Sequence, residues 1–162
     1  MLEGLFAWME AQGVYGPSPY IGPVVNLVHL LSMVVFMGGL LIVDLRLLGL
    51  GLTTQPVSVV ARDARPWLIG GFIGLVLTGI PQLMDRATEQ YVTSTFWLKM
   101  YLIVLGVLLT VTVRRRVTQG DGSGVAPKII GLVSIVLWLS VAALARLIMM
   151  IPANAFEWLV GV

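Results

Sequence analysis

The residue best suited to chemistry in this sequence is His29, the single histidine of the chain. It lies six residues after Pro23, in an apolar run long enough to cross a membrane. At a rise of about 1.5 Å per residue, His29 is roughly 9 Å deeper than Pro23. An imidazole at that depth must face other helices and find a polar partner. Position alone leaves two interpretations open: a ligand to a metal or cofactor, and a hydrogen bond between helices.

The helical neighbours of His29 form a surface suited to a flat, apolar ligand. Asn26, Met33 and Phe36 lie three residues before, four after and seven after His29, on one stripe of a helix. Gly39 follows them, and a residue without a side chain lets a macrocycle or another helix come close. The stripe predicts cofactor contacts for Met33, Phe36 and Gly39, with close packing of helices as the alternative for the glycine.

Two cations are predicted at a similar level of the membrane. Arg146 lies six residues before Pro152, so its depth matches that of His29, and Lys99 lies slightly nearer the surface. No carboxylate is expected deep on that side, which favours an anionic ligand with its charged end outward. Haem b has this shape, with iron for the imidazole and propionates for Lys99 and Arg146. The alternative is that both long side chains reach the lipid headgroups without any ligand.

A second protein ligand for the metal would have to be a methionine. Met84, Met100 and Met149 all lie toward the outer ends of their predicted spans, and a thioether is a known haem partner of histidine. Five-coordinate iron, a water ligand and a histidine from a second subunit also remain open. Soft thioethers combined with an imidazole suit Cu(I) as well, so copper is the alternative metal.

The composition restricts what kind of element can position these residues. The chain has 162 residues, 58% hydrophobic and 11% charged, with a mean hydropathy of +0.97. A chain of this size cannot bury so much apolar surface in water, which excludes a soluble fold. It has no cysteine, which excludes disulfides, cysteine-ligated zinc and iron–sulfur clusters. No nucleic-acid role is expected.

Hydropathy predicts an all-α, integral membrane four-helix bundle that forms one membrane domain over residues 1–162. The first two helices are expected to begin at Pro23 and Pro66, and the first to end at Gly49 and Gly51. Asp44 and Arg46 are expected in a solvated rim of ion pairs at the inner end. The predicted spans cover approximately residues 23–43, 66–84, 96–113 and 129–151.

Short amphipathic segments are predicted at both termini. Leu2, Leu5, Phe6 and Met9 have the spacing of one stripe on a helix that lies in the membrane interface. Residues 154–159 resemble a helix start followed by apolar residues, and they predict a second interfacial helix. Both segments are expected on the outer side, chiefly as anchors.

The distribution of positive charge predicts the orientation. Seven of the ten Lys and Arg residues fall in the first and third connections. By the positive-inside rule, both termini then lie outside the cytoplasm, on the periplasmic side of a bacterial inner membrane. The seven are Arg46, Arg62, Arg65, Arg114, Arg115, Arg116 and Lys128.

The run from His29 to Arg46 resembles the first helix of small four-helix bacterial membrane proteins, the HemJ-type protoporphyrinogen oxidases and CopD-like copper-resistance domains. The shared pattern is a histidine followed by an aromatic residue, a methionine and a glycine, here Phe36, Met37 and Gly39. The segment 96–99 is similar to the opening of a later helix in that group. The resemblance implies haem b bound through His29, with Lys99 as a propionate or substrate contact. Because Phe36 stands where HemJ-type proteins usually have tryptophan, the resemblance does not extend to porphyrinogen oxidation.

These observations predict a homo- or hetero-oligomeric membrane protein that binds one haem b through His29 and transfers electrons. Its expected partners are the lipid bilayer and a quinol or a periplasmic redox protein. Two alternatives remain: a copper-handling membrane protein, and a non-redox structural subunit of a membrane complex. Whether the chain is an enzyme is left open by the sequence.

Overall fold

The computed structural model describes residues 2–114, 118 and 124–147. Within these residues the chain forms helices joined by short connections. Four segments are long and apolar enough to cross a membrane: Ile21–Leu48, Val57–Asp85, Ser94–Thr112 and Val125–Leu147. The predicted all-α membrane bundle is therefore confirmed. The helices are α1 (Leu2–Ala11), α2 (Ile21–Leu48), α3 (Val57–Asp85), α4 (Ala87–Tyr91), α5 (Ser94–Leu108, continuing as a π-helix over Leu109–Arg114) and α6 (Val125–Leu147).

The second helix is the centre of the bundle. It packs against both α3 and α6, and α5 packs against α6. Leu40, Val43 and Leu47 on α2 are almost fully buried. On the outward faces apolar side chains remain exposed, as shown by Leu77 at 66%. Such surfaces are suited to lipid rather than to water.

Gly49 ends α2 as predicted. Its φ of 77° is left-handed, and its N–H donates to the Arg46 carbonyl. The N–H of Leu50 donates to the Leu45 carbonyl at 2.9 Å. Glycine is favoured there because a side chain would be strained at positive φ.

The prediction that the second spanning helix begins at Pro66 is wrong. Helix α3 begins at Val57, and Pro66 lies inside it. Val57, Val60 and Ala64 are buried, and the latter two pack with Val43 of α2. This apolar spacing stabilises helix before the proline. Packing against α2 therefore outweighs the hydrogen bond that Pro66 cannot donate.

The last spanning helix also begins earlier than its predicted span. Helix α6 starts at Val125 and has Pro127 in its first turn, where a missing N–H costs little. The predicted span continues to residue 151, of which 148–151 lie outside the described residues. The predicted interfacial helix at 154–159 and the arginines at 115 and 116 lie outside them as well.

The prediction that Asp44 lies in a solvated rim is wrong. Its side chain is only 1% exposed, and the Ser134 hydroxyl of α6 donates to its carboxylate at 2.7 Å. Gly131 brings α6 close here, since a Cβ at that position would lie 3.0 Å from the Asp44 carbonyl oxygen. Helix packing thus encloses a carboxylate that the sequence pattern placed in water. Arg62 and Asp63, by contrast, form an exposed ion pair of 3.4 Å.

The amphipathic N-terminal helix is present as α1, and it packs against the bundle through only part of its apolar stripe. Phe6 is buried and Met9 is half-buried. Leu2 and Leu5 are 54% and 49% exposed. Part of the apolar stripe is therefore on the protein, and the rest of it is free to meet the membrane interface.

Candidate functional site

The candidate site lies where the N-terminal part of α2 meets the C-terminal part of α3. His29 of α2 is half-buried, and its Nδ1 atom is 2.8 Å from the Thr78 hydroxyl oxygen of α3. The same hydroxyl oxygen is 2.6 Å from the Gly74 carbonyl oxygen of its own helix. The histidine thus faces another helix and has a polar partner, as its depth requires.

These two distances favour one tautomer of His29. A threonine hydroxyl has one hydrogen to donate and lone pairs that accept. The shorter distance is to the Gly74 carbonyl, which can only accept, and a hydroxyl hydrogen directed there leaves the hydroxyl oxygen to accept from Nδ1 of His29. The neutral imidazole in this tautomer has an unprotonated Nε2 with a lone pair, which is the form that binds a metal.

No hydrogen-bond partner for Nε2 of His29 is found among the residues that the structure describes. The ring is held from one side by Thr78 and lies against Gly79, where an added Cβ would be 3.4 Å from the His29 Cε1 atom. This is an ordinary van der Waals distance, so the ring lies beside a residue that has no side chain. The arrangement holds the imidazole through Nδ1.

Small residues on α3 allow this close approach. A Cβ at Gly71 would lie 2.8 Å from the backbone nitrogen of Phe36, and a Cβ at Gly74 would overlap the Ser32 hydroxyl. Both glycines thus lie in the contact between α2 and α3, where small residues allow membrane helices to pack closely. By bringing the helix axes together they place Thr78 within hydrogen-bond distance of His29.

Lys99 is the cation that the structure places near this histidine. It lies on the second turn of α5, is half-buried, and its charge acts electrostatically on the imidazole of His29. Its Nζ atom lies 5.3 Å from the centroid of the Phe96 ring, a cation–π contact. Within the described part of the chain no carboxylate forms an ion pair with Lys99. A half-buried cation of this kind is suited to an acidic group on a ligand.

Thr78 and Gln82 are site residues that the sequence analysis missed. The Gln82 amide donates to the Thr78 carbonyl at 3.2 Å, so the two residues are linked on α3. A signal was present in the sequence: Gly74, Thr78 and Gln82 are spaced four apart and form a small and polar stripe on an otherwise apolar helix. Such a stripe is expected to face another helix rather than lipid.

Phe36 and Gly39 lie in helix interfaces. Phe36 is 5% exposed, and its ring makes an edge-to-face contact with Trp138 of α6 at a centroid distance of 4.8 Å. A Cβ at Gly39 would lie 3.2 Å from the Leu68 side chain of α3. Both residues support the packing of α2, and their cofactor contacts remain a prediction. Met33, between them and His29, is half-buried.

The remaining predicted site residues are distributed over three other helices or lie outside the described residues. Met84 is half-buried near the end of α3, and Met100 is 36% exposed on α5. Arg146 is exposed in the last turn of α6. Met149 lies outside the described residues. Within the described ranges no group of three or more His, Cys, Asp or Glu side chains could hold a metal, so a metal here would depend on the single imidazole.

The fold and these contacts define the class of protein: a multi-pass, all-α membrane protein with one half-buried histidine, bonded through Nδ1 to the Thr78 hydroxyl. The chain belongs to the family of unknown function DUF6644, which matches residues 11–151. No curated protein and no solved structure matches it.

Proposed function

We propose that this protein binds haem b through Nε2 of His29 and transfers electrons in the bacterial inner membrane. The observation that supports the proposal most directly is the hydrogen bond between Nδ1 of His29 and the Thr78 hydroxyl. With the threonine hydrogen directed to the Gly74 carbonyl, this bond holds the imidazole in the tautomer that a metal requires. Histidines that bind metals usually donate their other ring N–H to a neighbouring acceptor in this way.

Each residue of the site has a specific part in the proposal. Thr78 orients the imidazole, and Gly79 lets the ring lie against α3 without steric pressure. Lys99 neutralises an acidic group at the edge of the ligand, which for haem b is a propionate. Helix α3 packs mainly against α2, and α5 packs mainly against α6. Because α3 and α5 make little contact with each other, a flat ligand is favoured between them. The haem would supply one-electron redox chemistry.

The location of the site supports the choice of partners. His29 and Lys99 both lie toward the outer ends of their spans, the side on which the loop charges predict the periplasm. A quinol in the membrane or a redox protein in the periplasm could then approach the haem edge. Oligomerisation and the periplasmic location of both termini are parts of the same proposal.

The test is the visible spectrum of the protein purified in detergent. We expect reduced-minus-oxidised bands of haem b in the unsubstituted protein and their loss in His29→Ala. Ser32→Ala is the matched control, because Ser32 is on the same helix and its hydroxyl donates only to the Val28 carbonyl. A colourless protein, or full haem content in His29→Ala, would refute the proposal.

A second candidate is a non-redox subunit in which His29 only connects two helices. The same bond to Thr78 supports it, since a hydrogen bond between membrane helices needs no ligand. Copper handling is a third possibility, supported by the half-buried Met33 one turn from His29. Metal analysis separates the three: iron supports haem, copper without iron supports copper handling, and the absence of both supports the structural subunit.

A further inference from the structure

An aromatic cluster joins α1 to the outer end of the bundle. Its members are Phe6, Tyr91, Phe96 and Trp97, and only Phe6 comes from α1. The Phe6 ring centroid lies 5.1 Å from that of Tyr91, 6.1 Å from Phe96 and 6.2 Å from Trp97. Phe6 is 8% exposed. Phe6 is therefore the buried side chain that attaches α1 to this cluster, and the half-buried Met9 packs beside it.

A carboxylate makes the second attachment. Glu10, near the end of α1, accepts a hydrogen bond from the Thr88 N–H of α4 at 2.8 Å and another from the Thr88 hydroxyl. These two bonds hold the pKa of Glu10 below its ordinary value. The carboxylate is exposed to water, so this attachment can form and break without burying a charge.

The aromatic cluster connects α1 directly to the candidate site. The Phe96 ring contacts Phe6 edge-on and also lies under the ammonium group of Lys99. The docked α1 therefore covers the ring that borders Lys99 on the outer side. Undocking it would expose this side of the site to water.

Two features allow α1 to leave the bundle without unfolding the spans. The connection from α1 to α2 has glycines at positive φ, Gly13 at 54° and Gly16 at 55°, and forms turns rather than helix. Other apolar side chains of α1 are exposed, with Leu2, Leu5 and Trp8 at 54%, 49% and 60%. These side chains can stay in the membrane interface while Phe6 and Glu10 separate from α4 and α5.

We propose that α1 is a lid that opens and closes over the outer side of the Lys99 and His29 site. In the closed state Phe6 and Glu10 attach it to the bundle and restrict access from the aqueous side. In the open state the acidic edge of the ligand, or a redox partner, reaches Lys99. The identity of what enters rests on the proposed function, whereas the opening itself does not.

The chain has no cysteine, so one introduced thiol reports on the lid. Ala87 is suitable because it is 0% exposed and belongs to the same apolar cluster as Phe6. In Ala87→Cys we would measure the rate of modification by a water-soluble maleimide, alone and combined with Phe6→Ala. Leu5→Ala is the matched control, since Leu5 is adjacent on α1 but exposed.

We expect Phe6→Ala to raise the modification rate by about tenfold or more, because modification follows the population of the open state. Leu5→Ala should leave the rate within about twofold. Equal rates in the two variants would overturn the proposal, as would immediate modification of Ala87→Cys in the otherwise unsubstituted chain.

A second measurement uses the unsubstituted protein, so a folding defect in the variants cannot affect it. Hydrogen exchange should be much faster in α1 than in the centre of α2, because a lid opens without global unfolding. Protection of α1 equal to that of α2 would overturn the proposal. Neither measurement requires haem, so a lid that opens in a colourless protein would refute the proposed function and leave this inference standing.

Discussion

Replacing Thr78 with valine tests whether the bond to His29 serves a ligand or only connects two helices. Valine keeps the branched shape of threonine and removes the hydroxyl that is 2.8 Å from Nδ1 of His29. The imidazole would then lose the acceptor that determines its tautomer and orientation. No other protein acceptor for this nitrogen is found among the described residues.

The two roles predict different losses of haem affinity and of stability in Thr78→Val. Loss of a partner that orients a metal ligand typically weakens metal affinity about 10- to 100-fold, which corresponds to about 1.4–2.7 kcal/mol. A hydrogen bond between membrane helices contributes only about 0.6 kcal/mol to stability on average. If His29 is the ligand, Thr78→Val should therefore impair haem binding much more than it impairs folding.

The assay is a haem titration of the apo-protein in detergent, followed at the main visible absorption band, with thermal unfolding measured in parallel. Thr78→Ser should restore most of the affinity because serine supplies the same hydroxyl. Thr112→Val is the matched control, since the Thr112 hydroxyl donates only to the Leu108 carbonyl of its own segment. Unchanged haem affinity in Thr78→Val, with a small loss of stability, would show that the bond is purely structural.

Three further predictions concern packing and the lid. Gly71→Ala should destabilise the protein by about 1–3 kcal/mol in thermal unfolding, because the added Cβ would lie 2.8 Å from the α2 backbone. Gly70→Ala, with nothing within 4 Å of that atom, should be neutral or stabilising, and equal effects would contradict the helix contact. Ser134→Ala should cost about 1–3 kcal/mol in the same assay, because it removes a donor to the buried carboxylate of Asp44. Docking of α1 should weaken as the pH falls below 4.5, because the lowered pKa of Glu10 stabilises the docked state above that value and the effect disappears once the carboxylate is protonated. Near-ultraviolet circular dichroism of the aromatic cluster should show this transition, and Glu10→Gln should remove it.

The sequence by itself determined the four membrane spans, the end of α2 at Gly49 and the choice of His29 as the candidate ligand. These are local properties. Hydropathy over about 20 residues is enough to identify a spanning helix, because every backbone polar group in lipid must be bonded within its own helix. A glycine at a helix end and a single imidazole in an apolar run are equally visible without knowing which helices are neighbours.

Only the tertiary structure decided which residues are partners. It paired His29 with Thr78, enclosed Asp44 against Ser134 and extended α3 back to Val57. Each outcome depends on which faces of two helices meet, and hydropathy does not encode this in a chain whose helices are apolar all round. The hydrophobic effect distinguishes lipid from water but not one apolar helix face from another, so close packing at small residues and a few polar contacts decide the arrangement.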